Sequence, residues 1–252
     1  MSAKAALLAE LARTVAAQSQ YPSLPERLCR AAVHLMGAAG ASLTIAYTTP
    51  HRVTLCSTDD RASRLEDLQD VLGQGPGPTA YASGHQIRSD IGMLTPRGVA
   101  DVDARWPEFD LAVRDAFIGV RITAIAIHPD SKIMGVLTCH QSLETSPLLE
   151  EPIAQFLADA VGVALLQDPD TLATDLTGPW ASRAQVHQAT GMVTAQLHVH
   201  PEDALALLRA HAFAHGWTLA RVAAAVVQRE LDFTGELNED ITRDPQDGTG
   251  RP

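Results

Sequence analysis

The residues of this 252-residue chain best able to do chemistry are its histidines, its three cysteines and one glycine-rich loop. His211 and His215 are four apart, a helical spacing that can hold zinc, and His198 and His200 are two apart. No cysteine lies near either pair to complete a ligand set, and His200 sits in the turn before Pro201. Helix-surface histidines are expected there, and no metal site. Cys29, Cys56 and Cys139 are odd in number and far apart in sequence, which argues against a disulfide scaffold and for a reducing compartment. Cys29 and Cys139 lack the adjacent base that a nucleophile needs, so a redox or bilin-attachment role has little support and core packing is expected. The loop GQGPG at 73–77 lacks the lysine and the Ser/Thr of a phosphate-binding loop, and its proline removes a backbone donor. It reads as a turn leading into a helix. No Ser/His/Asp order and no paired-carboxylate motif stands out, so no enzyme is expected.

These residues must be positioned by two different kinds of structure. Residues 181–233 pattern as three short amphipathic helices. Val186, Ala189, Val193 and Leu197 share one helical face. Pro201, followed by Glu202 and Asp203, suits a helix start, where the dipole favours negative charge. Ala204, Leu205, Leu207, Leu208 and Ala212 form the apolar side of that second helix, and Gly216 is its natural left-handed stop. Thr218 is a plausible cap for a third helix striped by Leu219, Val222, Ala223, Val226 and Val227.

Upstream, residues 22–167 alternate helix and strand behind an alanine-rich helix at 1–21. Helices are expected at 25–36, 65–71 and 148–166, a hairpin at 42–57, and strands at 122–127 and 132–138 joined by the turn HPDS. The expected fold class is α+β, an antiparallel sheet flanked by helices and followed by the small three-helix domain. Residues 168–180 read as a linker, 181–236 as the second domain, and the polar tail 237–252 as disordered.

Charge bounds the partners. The net charge of −11 disfavours non-specific binding to nucleic acid or acidic lipid. Between 181 and 233, four arginines balance four acids, so recognition there must rely on shape more than bulk attraction. No apolar run approaches the length of a membrane span, and the first helix lacks the pattern of a signal peptide. A cytoplasmic protein is expected.

The strings HQATGMV, PEDALALLRAHAFAHG and LARVAAAVV resemble the ANTAR domain, the RNA-binding output module of bacterial transcription antiterminators. One position departs from the pattern: Thr190 stands where many relatives carry lysine. The strings LGQGPGPTAYASG, ARWPEF, ITAIAIHP and IMGVLTCH resemble a GAF domain, a sensing fold, and the pairing of the two is typical of actinobacterial regulators. The resemblance implies a homodimer that engages paired stem-loops in nascent RNA, so that a terminator hairpin cannot form. On that reading Arg183, His187, Gln188 and Thr190 meet the RNA, Arg209 and Arg221 hold its phosphates, and Ala189 and Gly191 act by smallness. The GAF resemblance implies a bound small-molecule or protein signal of unknown identity. It places the pocket along 73–106, with Tyr81, Trp106, Phe109 and Phe117 as candidate ligand-binding aromatics or simply as core. Two rivals remain. One is a protein-interaction or dimerisation module without RNA. The other is a DNA-binding regulator, since LARVAAAVV looks like the first helix of a helix-turn-helix, although QRELDF supplies no turn and recognition helix.

Overall fold

A computed structural model describes residues 3–48, 51–95, 98–99, 102–117, 119–130, 132–145, 149–168 and 179–234. The chain divides into two units, 1–180 and 181–252. The tail 237–252 and most of the expected linker lie outside the described residues.

In the first unit, helix α1 (Ala3–Ala17) leads to α2 (Leu24–Met36). Ser23 caps α2 by accepting from the Glu26 amide, Pro25 occupies its first turn, and Gly37 ends it in the left-handed conformation. Strands β1 (Gly40–Thr48) and β2 (His51–Ser57) pair as the expected hairpin. Then come α3 (Asp60–Leu72), α4 (Pro76–Ser83), β3 (Ile87–Ile91), and the short pair β4 (Leu94–Thr95) and β5 (Gly98–Val99). Helix α5 (Pro107–Ala116), strands β6 (Val120–Ile127) and β7 (Gly135–Ser142), and helix α6 (Glu151–Leu166) complete the unit. The main sheet has five antiparallel strands in the order β2-β1-β7-β6-β3. The α+β architecture is therefore as expected from the sequence. Several elements differ: the β4–β5 pair has no counterpart in the expected elements, and α3 begins at Asp60, ahead of the helix expected at 65–71. Strand β3 and helix α5 were not legible, and the strand expected at 132–138 instead begins at Gly135 and runs to Ser142.

Side chains alternate across the sheet with period two, and the two faces have different chemistry. Leu43, Ile125, Ile127, Leu137 and Cys139 pack beneath α2 and α6 with Leu28, Ala32, Leu157 and Val161. This face is mostly apolar, with Thr123, the partner of Cys139, also buried on it. The opposite face carries Ser42, Thr44, Thr138 and His140, all buried, alongside Ile122, Ala124 and Val136. Helices α3, α4 and α5 cover that side.

Polar burial on this second face is organised by α3. Glu66, 5% exposed, accepts from the Ser42 hydroxyl at 2.7 Å and from Thr44 at 3.3 Å. Gln69 accepts from the Gly77 amide at 2.6 Å, and a Cβ placed on Gly75 or Gly77 would lie 2.8 Å from the Gln69 side chain. The GQGPG loop thus clasps a glutamine amide and opens α4, whose first turn contains Pro76. Asp67, on the same helix, is lifted to about 6 by burial, with Asp70 and Glu66 adding to the shift and Arg64 opposing it. An acid whose folded pKa is raised carries no penalty below its unfolded value and the full penalty above its folded one. Asp67→Asn is therefore expected to stabilise the protein by about 1 kcal/mol above pH 7, discounted from the bare shift for partial exposure. The gain should vanish below about pH 4 in urea titrations run across pH.

The cysteines, distant in sequence, converge around α2. Cys56 donates to the Pro25 carbonyl at 3.2 Å, one helical turn above Cys29. A hydrogen bond with Cys56, reinforced by burial, raises the pKa of Cys29 well above its ordinary value. Cys139 donates to the Met36 sulfur at 3.5 Å, and burial pushes its thiol up to about 12. All three thiols are free.

The second unit is built from α7 (Pro179–Leu197), α8 (Pro201–His215) and α9 (Leu219–Val227). Its buried apolar side chains are Ala189 and Val193 on α7, Ala204, Leu205, Leu208 and Ala212 on α8, Leu219, Val222, Ala223 and Val226 on α9, and Phe233. Gly216, with φ of 62°, ends α8, and Thr218 caps α9 by accepting from the Arg221 amide at 3.1 Å. Each of these local signals is present in the sequence.

Candidate functional site

On α7, Arg183, His187 and Gly191 are four residues apart and so lie along one stripe of the helix. His187, Gln188 and Gly191 are exposed and Arg183 is half-buried. Burial, with the neighbouring Arg183 charge added, lowers the pKa of His187 below its ordinary value. At neutral pH this histidine offers a hydrogen-bonding ring rather than a cation. No other atom comes within 4 Å of a Cβ built on Gly191. Its missing side chain therefore answers no packing need among the described residues.

Thr190 behaves differently from its neighbours. It is only 8% exposed, and its hydroxyl donates to the Val186 carbonyl at 2.8 Å. This position turns inward with Ala189 instead of joining the exposed stripe. On α8 Arg209 is half-buried, and on α9 Arg221 is exposed, lying 4.0 Å from the centre of the Trp217 ring. The histidines also separate. His215 is exposed as expected, whereas His211 is buried, because Trp217 and Phe233 pack edge-on against it. Among the described residues no group of three His, Cys, Asp or Glu could hold a metal ion. The ring of Trp217 and the exposed Phe213 have no motif in the sequence to mark them; the left-handed stop at Gly216 is the available signal.

In the first unit the four candidate aromatics do not surround one space. Trp106 and Phe109 are buried with Leu65, Leu68, Ile91, Val113 and Ile122, and Phe117 packs on the same cluster. The Trp106 indole donates to Thr79 at 2.9 Å. Tyr81 packs instead on Ala80, Ala124 and Val136. The interior has more polar capacity between α3 and the sheet. His140 Nε2 donates to Asp59 at 3.0 Å, while among the described residues His140 Nδ1, the Gln69 amide nitrogen and the Thr138 hydroxyl are buried without a hydrogen-bond partner. Buried polar atoms are almost always satisfied, so such a group marks a place where a polar ligand or ordered water gains hydrogen bonds. A separate open cleft of about 520 Å³ is lined by Gln18, Arg30, His34, Thr58 and Asp59, among others.

Residues 174–227 match the ANTAR domain, a span that includes α7 from its start at Pro179, α8 and α9. No curated protein was found to be similar to the chain. Among solved structures, the chain is similar to the photosensory core module of Stigmatella aurantiaca phytochrome at 13% identity and a TM-score of 0.42, covering 82% of this chain and 44% of that one. It is also similar to the chromophore-binding domain of a bacteriophytochrome from the same organism, at 11% identity and a TM-score of 0.37, covering 66% and 62%. A third is the chromophore-binding domain of an unusual bacteriophytochrome from R. palustris, at 11% identity and a TM-score of 0.36, covering 68% and 64%. The chain spans less than two thirds of each of those chains. No helix among the described residues is long and apolar enough to cross a membrane.

Proposed function

We propose that this protein is a signal-responsive antitermination regulator whose second unit binds paired stem-loops in nascent RNA. The observation that carries the reading is the ANTAR match over 174–227. The stripe of half-buried Arg183 and exposed His187 and Gly191 supports it. A charged donor, a neutral imidazole and an open glycine suit contact with a phosphate and the edge of a splayed loop base. The first unit acts as a GAF-type sensor, its ligand held against the unsatisfied atoms of Gln69, Thr138 and His140 between α3 and the sheet. Ligand binding changes the packing of α6, which leaves the sensor toward the output domain, and the active species is a cytoplasmic homodimer. No catalytic step is involved.

The test is binding of the full chain to RNA carrying two adjacent small-loop hairpins, with scrambled loops and duplex DNA as controls over a salt series. Arg183→Ala is expected to weaken binding about tenfold, the size of one charge-assisted hydrogen bond, and His187→Ala roughly fivefold, the size of one neutral hydrogen bond. Gly191→Leu should weaken it similarly with no loss of helix content, because open space surrounds that Cβ. Equal affinity for scrambled loops would overturn the proposal.

The protein-interaction alternative draws on Thr190, whose inward packing leaves α7 without the cation that many relatives carry there. Salt separates the two, since phosphate contacts weaken as salt rises and apolar docking does not. The DNA-reading alternative finds no support: α9 ends at Val227, and Arg229 turns the chain with φ of 62°.

A further inference from the structure

The turn between α8 and α9 gathers a row of rings that the stripe on α7 does not use. His211 and His215 stack with centroids 4.1 Å apart and planes 23° apart. Gly216 reverses the chain, and Trp217 folds back to 5.7 Å from the His211 ring and 5.6 Å from the His215 ring. The Arg221 guanidinium lies 4.0 Å from the centre of the Trp217 ring. His211 is buried, Trp217 is half-buried, and His215 and Arg221 are exposed, so the row runs from the interior of the unit to its surface.

The row is held in place locally. His215 Nδ1 donates to the His211 carbonyl at 2.9 Å. This bond fixes the tautomer and leaves Nε2 as an acceptor when the ring is neutral. The Thr218 cap anchors the first turn of α9, which carries Arg221.

We propose that His215, Trp217 and Arg221 form a stacking surface for an unpaired base in the loop of a bound RNA hairpin. The proposal rests on the RNA-binding reading and names a binding surface that reading lacked. Loop bases are recognised when they are splayed out and stacked on aromatic rings or guanidinium planes. Such contacts need no excess of positive charge, and four arginines against four acids between 181 and 233 leave none. The end of α8 carries the negative end of the helix dipole, which disfavours a phosphate there and is indifferent to a neutral base.

The test uses the full chain and an RNA pool of two adjacent hairpins with randomised loops. A selected RNA then carries 2-aminopurine, or an abasic site, at each loop position in turn. The wild type is expected to quench 2-aminopurine at one position and to bind roughly tenfold more weakly when that base is removed, the effect of losing one stacked base. Trp217→Ala should bind roughly tenfold more weakly, fail to quench, and lose nothing further on base removal, whereas Trp217→Phe retains most of the affinity. Should Trp217→Ala unfold, Arg221→Met carries the same quenching test. A folded Trp217→Ala that binds as tightly as wild type, or loses the same factor on base removal, overturns the stacking surface and leaves RNA binding intact. Failure to select any RNA overturns both.

Discussion

Arg52→Met is expected to destabilise the first unit by about 3 kcal/mol, read as a fall in the urea midpoint at unchanged slope. Arg52 stands on β2 with its side chain 14% exposed, and it serves two acids of α3. One guanidinium nitrogen lies 2.9 Å from Asp70, and another lies 3.9 Å from Glu66, whose side chain is 6% exposed. Removing one partner of a buried pair is costly because the other charge stays behind, away from water. The Asp70 contact contributes little, since that carboxylate is 41% exposed and regains water. Most of the loss therefore comes from Glu66, which among the described residues then keeps the Ser42 and Thr44 hydroxyls to hold it. Arg52→Met combined with Glu66→Gln should recover a large part of the loss, because the amide needs no counter-charge. A double variant as unstable as the sum of the two single ones would show that packing of the arginine stem, not charge, sets the effect.

What the sequence makes legible follows from the range of the interaction. The second unit is punctuated locally: Pro201 opens α8, Gly216 stops it and Thr218 caps α9, each within a few residues of the helix it governs. The links that organise the first unit are not local. Ser42 meets Glu66 across 24 residues, and His140 meets Asp59 across 81. Nothing in the composition of a short strand says which carboxylate will cover it. Strand β3 reads IRSDI, with only two residues fully buried, so its alternation is too short to distinguish from a loop. Thr190 was legible as a departure from a pattern, but its direction was not. Whether a threonine at the edge of the buried face turns inward depends on its own hydroxyl finding the Val186 carbonyl. The ring row at 211–221 was hidden for a related reason. A histidine pair four apart suggests metal until the left-handed glycine after it brings a tryptophan back onto both rings.

Gly40→Ala is expected to cost a similar amount, about 3 kcal/mol, through a different mechanism. A Cβ at this position would overlap the Asp59 carboxylate and His140 Nε2, and would lie 2.8 Å from the Asp59 carboxyl carbon. Asp59 does two things there. It caps α3 by accepting from the Ala62 amide at 2.7 Å, and it accepts from His140 Nε2 at 3.0 Å. Displacing it removes a cap, worth about 1 kcal/mol, and strands a buried imidazole donor, worth about 1–3 kcal/mol. The loss should carry a pH signature. For Asp59, burial pushes the pKa up, but the Ala62 amide and His140 outweigh it and hold the carboxyl below its ordinary value. Its stabilisation is therefore present above the unfolded pKa and lost as pH falls through the folded one. Burial lowers the pKa of His140 against the opposing pull of Asp59. The folded state therefore resists protonating this ring, and stability declines as pH drops below about 6.5. In Gly40→Ala the carboxylate and the ring are forced apart and become more accessible to water, so both dependences should flatten. Urea midpoints measured from pH 8 to pH 3 are thus expected to converge toward wild type on the acid side, the His140 part below about pH 6.5 and the Asp59 part below about pH 4. A constant difference across that range would mean that the alanine acts by steric strain on the β1 backbone alone, with the Asp59–His140 pair intact.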